Sequence, residues 1–132
     1  MITRRHLFAL AAVAGAAAML PIAAPAAETK PYTDGAFDIA QKAGKSILVQ
    51  IHATWCPTCA AQAPILADLE RDPKFQNLVV FHVDFDDQKD AVRRFGARMQ
   101  STLITFKNGR ETGRSVGETR RPELAALLAK AV

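Results

Sequence analysis

Apolar and polar residues follow two patterns along the chain, one typical of helices and one of strands, which predict four helices and four strands in the order αβαβαββα. Apolar residues at helical spacing, bounded by capping and stop residues, predict helices over 34–43, 57–71, 87–95 and 121–131. Mostly apolar runs of strand length predict strands over 46–53, 78–84, 102–107 and 110–116. Asp34 is the expected N-cap of the first helix, and Pro64 is expected to kink the second.

The order of these elements determines the expected sheet. Two strands linked by a helical crossover run parallel, whereas the Asn108-Gly109 pair is a strong signal for a tight antiparallel hairpin. The sequence therefore predicts an α/β fold with a central mixed sheet of about four strands and helices on both faces. A length of 132 residues with 49% apolar content suits one such domain, which we expect over residues 27–132.

The first 26 residues have the layout of a signal peptide. Arg4 and Arg5 precede an uncharged stretch, 7–20, and Ala24-Pro25-Ala26 offers a small-residue cleavage site. We expect residues 1–26 to be removed and the mature chain to be periplasmic. The alternative is an uncleaved membrane anchor, because residues 7–27 carry no charge, although two prolines interrupt that run.

Loss of this leader changes the charge of the chain. The sequence has 17 basic and 13 acidic residues, and removal of Arg4 and Arg5 leaves 15 basic residues and a formal charge of +2. A charge this small does not indicate binding to nucleic acid, and we expect no nucleic-acid partner.

The two cysteines are placed for redox chemistry. Cys56 and Cys59 enclose only two residues, so a bridge between them would close a very short loop and stabilise the fold little. The helix predicted to begin at Pro57 presents unpaired N–H groups and partial positive charge, which favour a thiolate on Cys56. We therefore expect Cys56 to be the more exposed sulfur and the nucleophile, and Cys59 to attack a mixed disulfide on Cys56.

The chain resembles the thioredoxin family over essentially its whole length after the leader. The residues that carry the resemblance are Ala53-Thr54-Trp55-Cys56-Pro57-Thr58-Cys59, Pro64, Phe95-Gly96-Ala97-Arg98, Thr102 to Phe106, Lys107-Asn108-Gly109 and Val116-Gly117. The Trp-Cys-Pro-Thr-Cys form behind an export signal is similar to that of periplasmic thioredoxin-like protein-disulfide reductases.

The resemblance implies a protein-disulfide oxidoreductase with Cys56 and Cys59 as catalytic residues, without a bound cofactor or metal. It further implies protein thiols and disulfides as partners, a membrane electron donor that reduces the pair, and substrate contact by Trp55, Pro57, Gln100 and Ser101. We expect a monomer. Because Thr58, and not a histidine, lies between the cysteines, we expect a reductant.

One departure from the family pattern concerns the segment that faces the cysteines. Ser101 stands where the family has a cis-proline, so we expect the Gln100–Ser101 peptide bond to be trans or, if cis, strained. Ser101 also restores a backbone N–H and adds a hydroxyl. Either group is expected to be able to hydrogen-bond a Cys56 thiolate, which would make the pair more oxidising.

Two further departures concern proton transfer. Gln50 replaces the buried aspartate that assists the resolving cysteine in the family, and His82 replaces the lysine beside it. Since Gln50 cannot titrate, His82, His52 or water are the candidate proton relays.

Two other functions remain open on the sequence. A metallochaperone or thiol-based copper carrier is possible, because two thiolates with a nearby imidazole suit Cu(I) and the shielding proline is missing. A redox-inert binding module on the same fold is the second, and it would tolerate replacement of both Cys56 and Cys59.

Overall fold

The computed structural model describes residues 19–23 and 26–132, so that most of the predicted signal peptide lies outside the described residues. The strands are β1 (Glu28–Pro31), β2 (Ser46–His52), β3 (Leu78–Asp84), β4 (Thr102–Lys107) and β5 (Arg110–Val116). The helices are α1 (Asp34–Lys42), α2 (Pro57–Glu70), α3 (Lys89–Arg94) and α4 (Arg121–Ala129), with a 3₁₀ turn at Pro73–Phe75. Within these residues, no helix combines the length and the apolar character needed to cross a bilayer.

The strands form one mixed sheet in the order β1-β3-β2-β4-β5. β3 is parallel to both β1 and β2, whereas β4 is antiparallel to β2 and to β5. The predicted mixed sheet is confirmed, but it has five strands and not about four. The sequence analysis missed β1, an edge strand of four residues that is mostly exposed and ends in Pro31. Proline is tolerated at an edge because it has no N–H to pair.

Two apolar cores cover the two faces of the sheet. On one face α1 and α3 pack over the strands, and the buried side chains include Phe37, Ala40, Ile47, Val49, Ile51, Phe81, Val83, Ala91 and Val92. On the other face α2 and α4 pack over the strands. The buried side chains there include Leu48, Leu66, Leu69, Leu78, Val80, Leu103, Leu124 and Leu128. Because successive strand residues point to opposite faces, continuous apolar runs supply both cores. The predicted placement of helices on both faces is confirmed.

The helix ends differ from the predicted ones for local reasons. Thr33, and not Asp34, is the N-cap of α1, since its hydroxyl accepts a hydrogen bond from the Ala36 N–H at 3.2 Å. The α3 helix begins at Lys89, two residues later than predicted. The preceding turn is held by the Asp84 carboxylate, which accepts hydrogen bonds from two backbone N–H groups at 2.9 Å. Short polar side chains stabilise such turns in competition with helix.

The sheet face under α2 becomes polar where β2 and β3 end. These strands are parallel and in register, so Gln50 lies opposite His82 and His52 lies opposite Asp84. The four side chains share one face because they alternate with apolar residues that face the other way. The α2 helix begins shortly after β2 ends, which brings its N-terminus to this polar end of the sheet.

Candidate redox site

Cys56 is the N-cap of α2. Its backbone is extended, Pro57 occupies the first helical position, and its Sγ accepts a hydrogen bond from the Cys59 N–H at 3.2 Å. The Cys56 carbonyl in turn accepts from the Ala60 N–H at 3.1 Å, which starts the helical ladder. The sulfur therefore lies at the positive end of the helix, as the sequence predicts, where a negative charge on it is stabilised.

Both cysteines are buried free thiols. Cys56 is 3% exposed and Cys59 is 6% exposed, and both pack against Ala53 and Phe85. As a whole residue, Cys56 is therefore not the more exposed of the two, contrary to the expectation. The turn that makes Cys56 an N-cap also folds its side chain back over the first turn of the helix, towards the Cys59 N–H.

The environment of Cys59 disfavours its thiolate. Burial raises the pKa of the Cys59 thiol, and its contact with the Cys56 sulfur raises this pKa further. Hydrogen bonding from the backbone of Ala53 and Ser101 acts in the opposite direction. Because a thiol must lose its proton to act as a nucleophile, Cys59 needs a proton acceptor when it attacks.

Ser101 lies on a tight, strained turn beside the cysteines. No cis peptide bond occurs in the described part of the chain, so the Gln100–Ser101 bond is trans, and Ser101 takes a left-handed φ of 59°. The Ser101 hydroxyl donates to the Gln100 carbonyl at 2.5 Å. The hydroxyl proton is thus donated to Gln100 and not to Cys56, contrary to that half of the expectation. The Ser101 backbone acts on Cys59 instead, which places the substituted position against the resolving sulfur.

Gln62, which the sequence analysis did not single out, holds this turn in place. It is 1% exposed, and its side-chain amide donates to the Glu118 carbonyl at 2.8 Å and, more weakly, to the Ser101 carbonyl at 3.4 Å. The Ser101 carbonyl also accepts from the Gly117 N–H at 3.0 Å. A signal was available, because a glutamine one turn after Cys59 interrupts the buried stripe of α2.

Exposed apolar side chains flank the cysteines. Trp55 is 58% exposed, and its indole N–H donates to the Asp86 carboxylate at 2.7 Å. Met99 and Val116 are also more than half exposed, on either side of the Ser101 turn. Pro57 is exposed and Gln100 is half-buried. Of the predicted contact residues, Trp55 and Pro57 adjoin Cys56 in the chain, and Ser101 lies beside Cys59. A tryptophan with a fixed polar edge suits contact with a peptide chain.

A cavity of about 270 Å³ joins the cysteines to the polar end of the sheet. Its lining includes Gln50, His52, Cys56, Cys59 and His82. The two imidazole rings contact each other edge to face, with centroids 5.3 Å apart. Burial lowers the pKa of His82, and the neighbouring His52 lowers it further. The structure therefore brings both candidate relay histidines to the cavity that holds the resolving cysteine.

The copper-carrier alternative gains no support from this arrangement. Among residues 19–23 and 26–132, no three His, Cys, Asp or Glu side chains are grouped closely enough to hold a metal ion. The imidazoles share a cavity with the thiols but do not complete a ligand set with them.

Comparisons with known proteins agree with the fold and with the cysteine pair. The family model for thioredoxin matches residues 28–130. A thioredoxin from Pseudomonas aeruginosa is 34% identical over 97 residues, which cover 73% of this chain and 89% of that protein. A thioredoxin H-type from Fagopyrum esculentum is 32% identical over 93 residues, 70% of this chain and 78% of that protein. The crystal structure of Trxlp from Edwardsiella tarda EIB202 is 44% identical with a TM-score of 0.75, and the match covers 76% of this chain and 98% of that one.

Proposed function

Because this chain belongs to the thioredoxin family of thiol–disulfide oxidoreductases, we propose that it reduces protein disulfides outside the cytoplasm through a mixed disulfide on Cys56. The observation that carries the proposal is the position of the Cys56 sulfur at the N-terminus of α2, 3.2 Å from the Cys59 nitrogen. This position stabilises a thiolate and keeps the second sulfur one helical turn away.

The reaction proceeds in two exchanges. The Cys56 thiolate attacks one sulfur of a substrate disulfide, so that a Cys56–substrate disulfide forms and the other substrate sulfur leaves as a thiolate. Cys59 then loses its proton and attacks Cys56. The Cys56–Cys59 disulfide forms, and the second substrate sulfur leaves with its electron pair. The substrate has gained two electrons, and the pair is oxidised.

The direction of transfer follows from how weakly the Cys56 thiolate is stabilised. Strong oxidants of this chemistry are oxidising because their reduced form is stabilised. Thr58 lies between the cysteines here, and the Ser101 hydroxyl is bonded to the Gln100 carbonyl. Two donors that would favour the reduced form are therefore missing or already used, which supports a reductant.

The exposed surface around the pair supports a protein substrate. Trp55 adjoins Cys56, Met99 precedes the Ser101 turn and Val116 pairs with Thr102 after it, and each of these three side chains is more than half exposed. Exposed aromatic and methionine side chains are typical of surfaces that bind protein chains. We propose that these residues, with Pro57 and Gln100, contact the substrate on either side of its disulfide, and that the protein acts as a monomer.

The leader supports an exported protein that is reduced again by a membrane electron donor. The arginine pair, the uncharged stretch 7–20 and the small-residue site at 24–26 have the order of a signal peptide. Mass spectrometry of the protein from its native cell envelope tests this proposal. A mature chain that begins near Ala27 in the soluble periplasmic fraction is expected, whereas a full-length chain in the membrane fraction would favour an anchor.

The reduction potential tests the direction. We expect a value below about −200 mV, in the range of glutaredoxins and thioredoxins, and catalysed reduction of insulin by dithiothreitol. Cys56→Ser should abolish this activity, whereas Cys59→Ser should trap the mixed disulfide. Thr58→His is the matched control, since a histidine between the sulfurs should raise the potential. A wild-type value near about −120 mV, that of a strong oxidant, would contradict the reductant assignment.

A further inference from the structure

Polar side chains lie at the end of the sheet under α2, where a buried face is usually apolar. Gln50 is buried, and His52 and His82 are half-buried, on the face that is otherwise covered by leucine and valine side chains. Burial of polar groups costs free energy unless they are well paired, so the stability of the apolar core does not explain why these three polar residues, here called the polar strip, lie there. Its side chains line the cavity that also holds Cys59, which points to a role in the chemistry of that thiol.

Two cavities meet at the histidine pair. The first, of about 270 Å³, contains the cysteines, Gln50 and both imidazoles. The second, of about 370 Å³, is lined by the same imidazoles and by Pro31, Asp84 and other residues at the ends of β1 and β3. Each cavity has polar side chains in its lining and is large enough to admit water. His52 and His82 line both cavities, and so connect the cavity of the resolving cysteine with an outer pocket.

We propose that His82 accepts the proton that Cys59 loses when it attacks the mixed disulfide, and releases it to the outer pocket, which the His82 ring also lines. This inference rests on the proposed two-step exchange and assigns its proton acceptor. As the Cys59 sulfur forms its bond to Cys56, its proton moves to a ring nitrogen of His82, directly or through water in the shared cavity. The electron pair of the broken bond leaves on the substrate sulfur, so charge and protons balance.

The surroundings of His82 suit a base. Burial and the adjacent His52 lower the pKa of His82 below its usual value, so its ring is neutral and able to accept a proton at neutral pH. A neutral base beside a thiol of raised pKa can assist the loss of its proton. Gln50, opposite His82 in the sheet, offers an amide that cannot titrate.

Several other charged groups face the histidine pair and enter its pH dependence. Asp84 lies opposite His52 on β3, and the pKa of its carboxyl is lowered mainly by hydrogen bonds from the Asp87 and Asp86 backbone. Lys30 on β1 lines the outer pocket, and Lys89 lies near Asp84. The two thiols close the inner side. These groups act on the His82 imidazole from both cavities.

Reaction of the reduced, full-length mature protein with DTNB separates the two exchanges. Attack by Cys56 releases one thionitrobenzoate at a rate proportional to the reagent concentration. Attack by Cys59 then releases a second one at a rate independent of it, and stopped-flow absorbance follows both phases. Absence of the second phase in the wild type would refute resolution by Cys59, and so the proposed function, whatever His82 does.

The variant His82→Gln tests the relay. We expect the second phase to slow about 100-fold, the lower end of what general base catalysis contributes, while the first phase stays unchanged and shows that the fold is intact. Below pH 6.5 the wild-type second-phase rate should break downward as His82 becomes protonated, whereas His82→Gln, whose rate follows the Cys59 thiolate alone, should fall steadily with pH and lack this break. His82→Ala with added imidazole should recover part of the rate, because the outer pocket opens to the ring position.

His52→Gln is the matched control, since it alters the neighbouring imidazole and keeps His82. Because the electrostatic effect of His52 lowers the pKa of His82, removal of this imidazole should raise that pKa, so the fall of the second-phase rate in acid should begin at higher pH, with a small change in the plateau rate. An unchanged second-phase rate and pH profile in His82→Gln would overturn the proposal. The proposal would also be overturned if His82→Gln were slower but kept the wild-type break in its pH profile, and if imidazole did not rescue His82→Ala. A structural effect alone would produce that result.

Discussion

At the scale of single residues, Ser101 carries measurable backbone strain. Its φ of 59° lies in the left-handed region, which costs an L-residue about 1–2 kcal/mol and glycine nothing comparable. We expect Ser101→Gly to be more stable than Ser101→Ala by about 1 kcal/mol, since both lose the hydroxyl and only glycine relieves the strain. Urea unfolding of the two variants measures the difference.

The same pair of substitutions at Ser115 provides the control. Ser115 lies within β5, and its φ is not positive. Glycine in a strand loses more conformational freedom than alanine, so the order of stability should reverse there. Equal stability of the two Ser101 variants would show that the turn relaxes to another conformation without cost.

The order of thiol modification follows from the environment of Cys59. Burial and the contact with Cys56 raise the pKa of the Cys59 thiol, so limiting iodoacetamide near pH 7 should alkylate Cys56 first. Peptide mapping by mass spectrometry identifies the modified cysteine. In urea both residues should react at similar rates, because the difference belongs to the fold. Earlier alkylation of Cys59 in the native protein would reverse the assigned roles of nucleophile and resolving cysteine.

The buried amide of Gln62 should contribute to both stability and site geometry. Gln62→Met keeps the size of the side chain but leaves the Glu118 carbonyl without its 2.8 Å donor. Loss of a partner for a buried polar group costs about 1–3 kcal/mol, which denaturant unfolding can resolve. Gln76→Met, at an exposed glutamine, should change stability by less than about 0.5 kcal/mol. Equal effects of both substitutions would contradict the bracing role of Gln62.

The residues that sequence reasoning found and missed differ in the range of their contacts. Cys56, Cys59 and the histidines were found because their chemistry is local and their types are uncommon in a short chain. Gln62 and Asp86 were missed because their partners, the Glu118 carbonyl and the Trp55 indole, are distant in sequence. A glutamine or an aspartate is so often a solvated surface residue that only the assembled fold identifies its partner.

At the scale of elements, α2 begins with a sulfur in the place of the usual oxygen cap. Cys56 Sγ accepts the Cys59 N–H, a role that Ser, Thr, Asp and Asn fill in most helices. We expect Cys56→Ser to be more stable than Cys56→Ala by about 1 kcal/mol, because serine keeps a capping acceptor. Thermal unfolding of the two inactive variants measures this difference. Equal stability would mean that the cysteine cap serves reactivity and contributes nothing to the helix.

The predicted elements agree with the observed ones best where one residue pattern dominates. The bounds of β3, β4 and β5 were predicted correctly, because a uniform apolar run or the Asn108-Gly109 turn marks their limits. The β1 strand was missed, since its four residues are mostly exposed, three of them are polar, and they form a strand only by pairing with β3. The start of α3 was misplaced because the Asp84 carboxylate binds the backbone N–H groups that would have begun the helix.

At the scale of the whole molecule, folding and chemistry occupy different parts of one sheet. The two apolar cores cover both faces along most of β2 and β3. The polar strip is confined to the ends of these strands, beside the start of α2 and the Ser101 turn. Substitutions of the histidines should therefore affect proton transfer more than the global free energy of unfolding, which makes the relay proposal separable from stability.

The response of the whole fold to acid should depend on Glu118, which holds the turn between β5 and α4. Hydrogen bonds from the Arg120 side chain and from the Arg120 and Thr119 backbone lower the pKa of Glu118 to about 2, below its usual value of 4.5. Since the folded pKa lies below the unfolded one, this carboxylate stabilises the fold above pH 4.5, and the contribution is lost as the pH falls towards 2.

Glu118→Gln, which mimics the protonated form, should therefore be less stable than the wild type at pH 7 and equally stable at pH 2. Urea unfolding across this range measures the convergence. Glu123→Gln in the first turn of α4 is the charge-matched control, because it removes one acidic side chain and leaves the hydrogen bonds of Glu118 in place. A Glu118→Gln difference that stays constant across this pH range would show that the turn depends on the shape of the side chain and not on its charge.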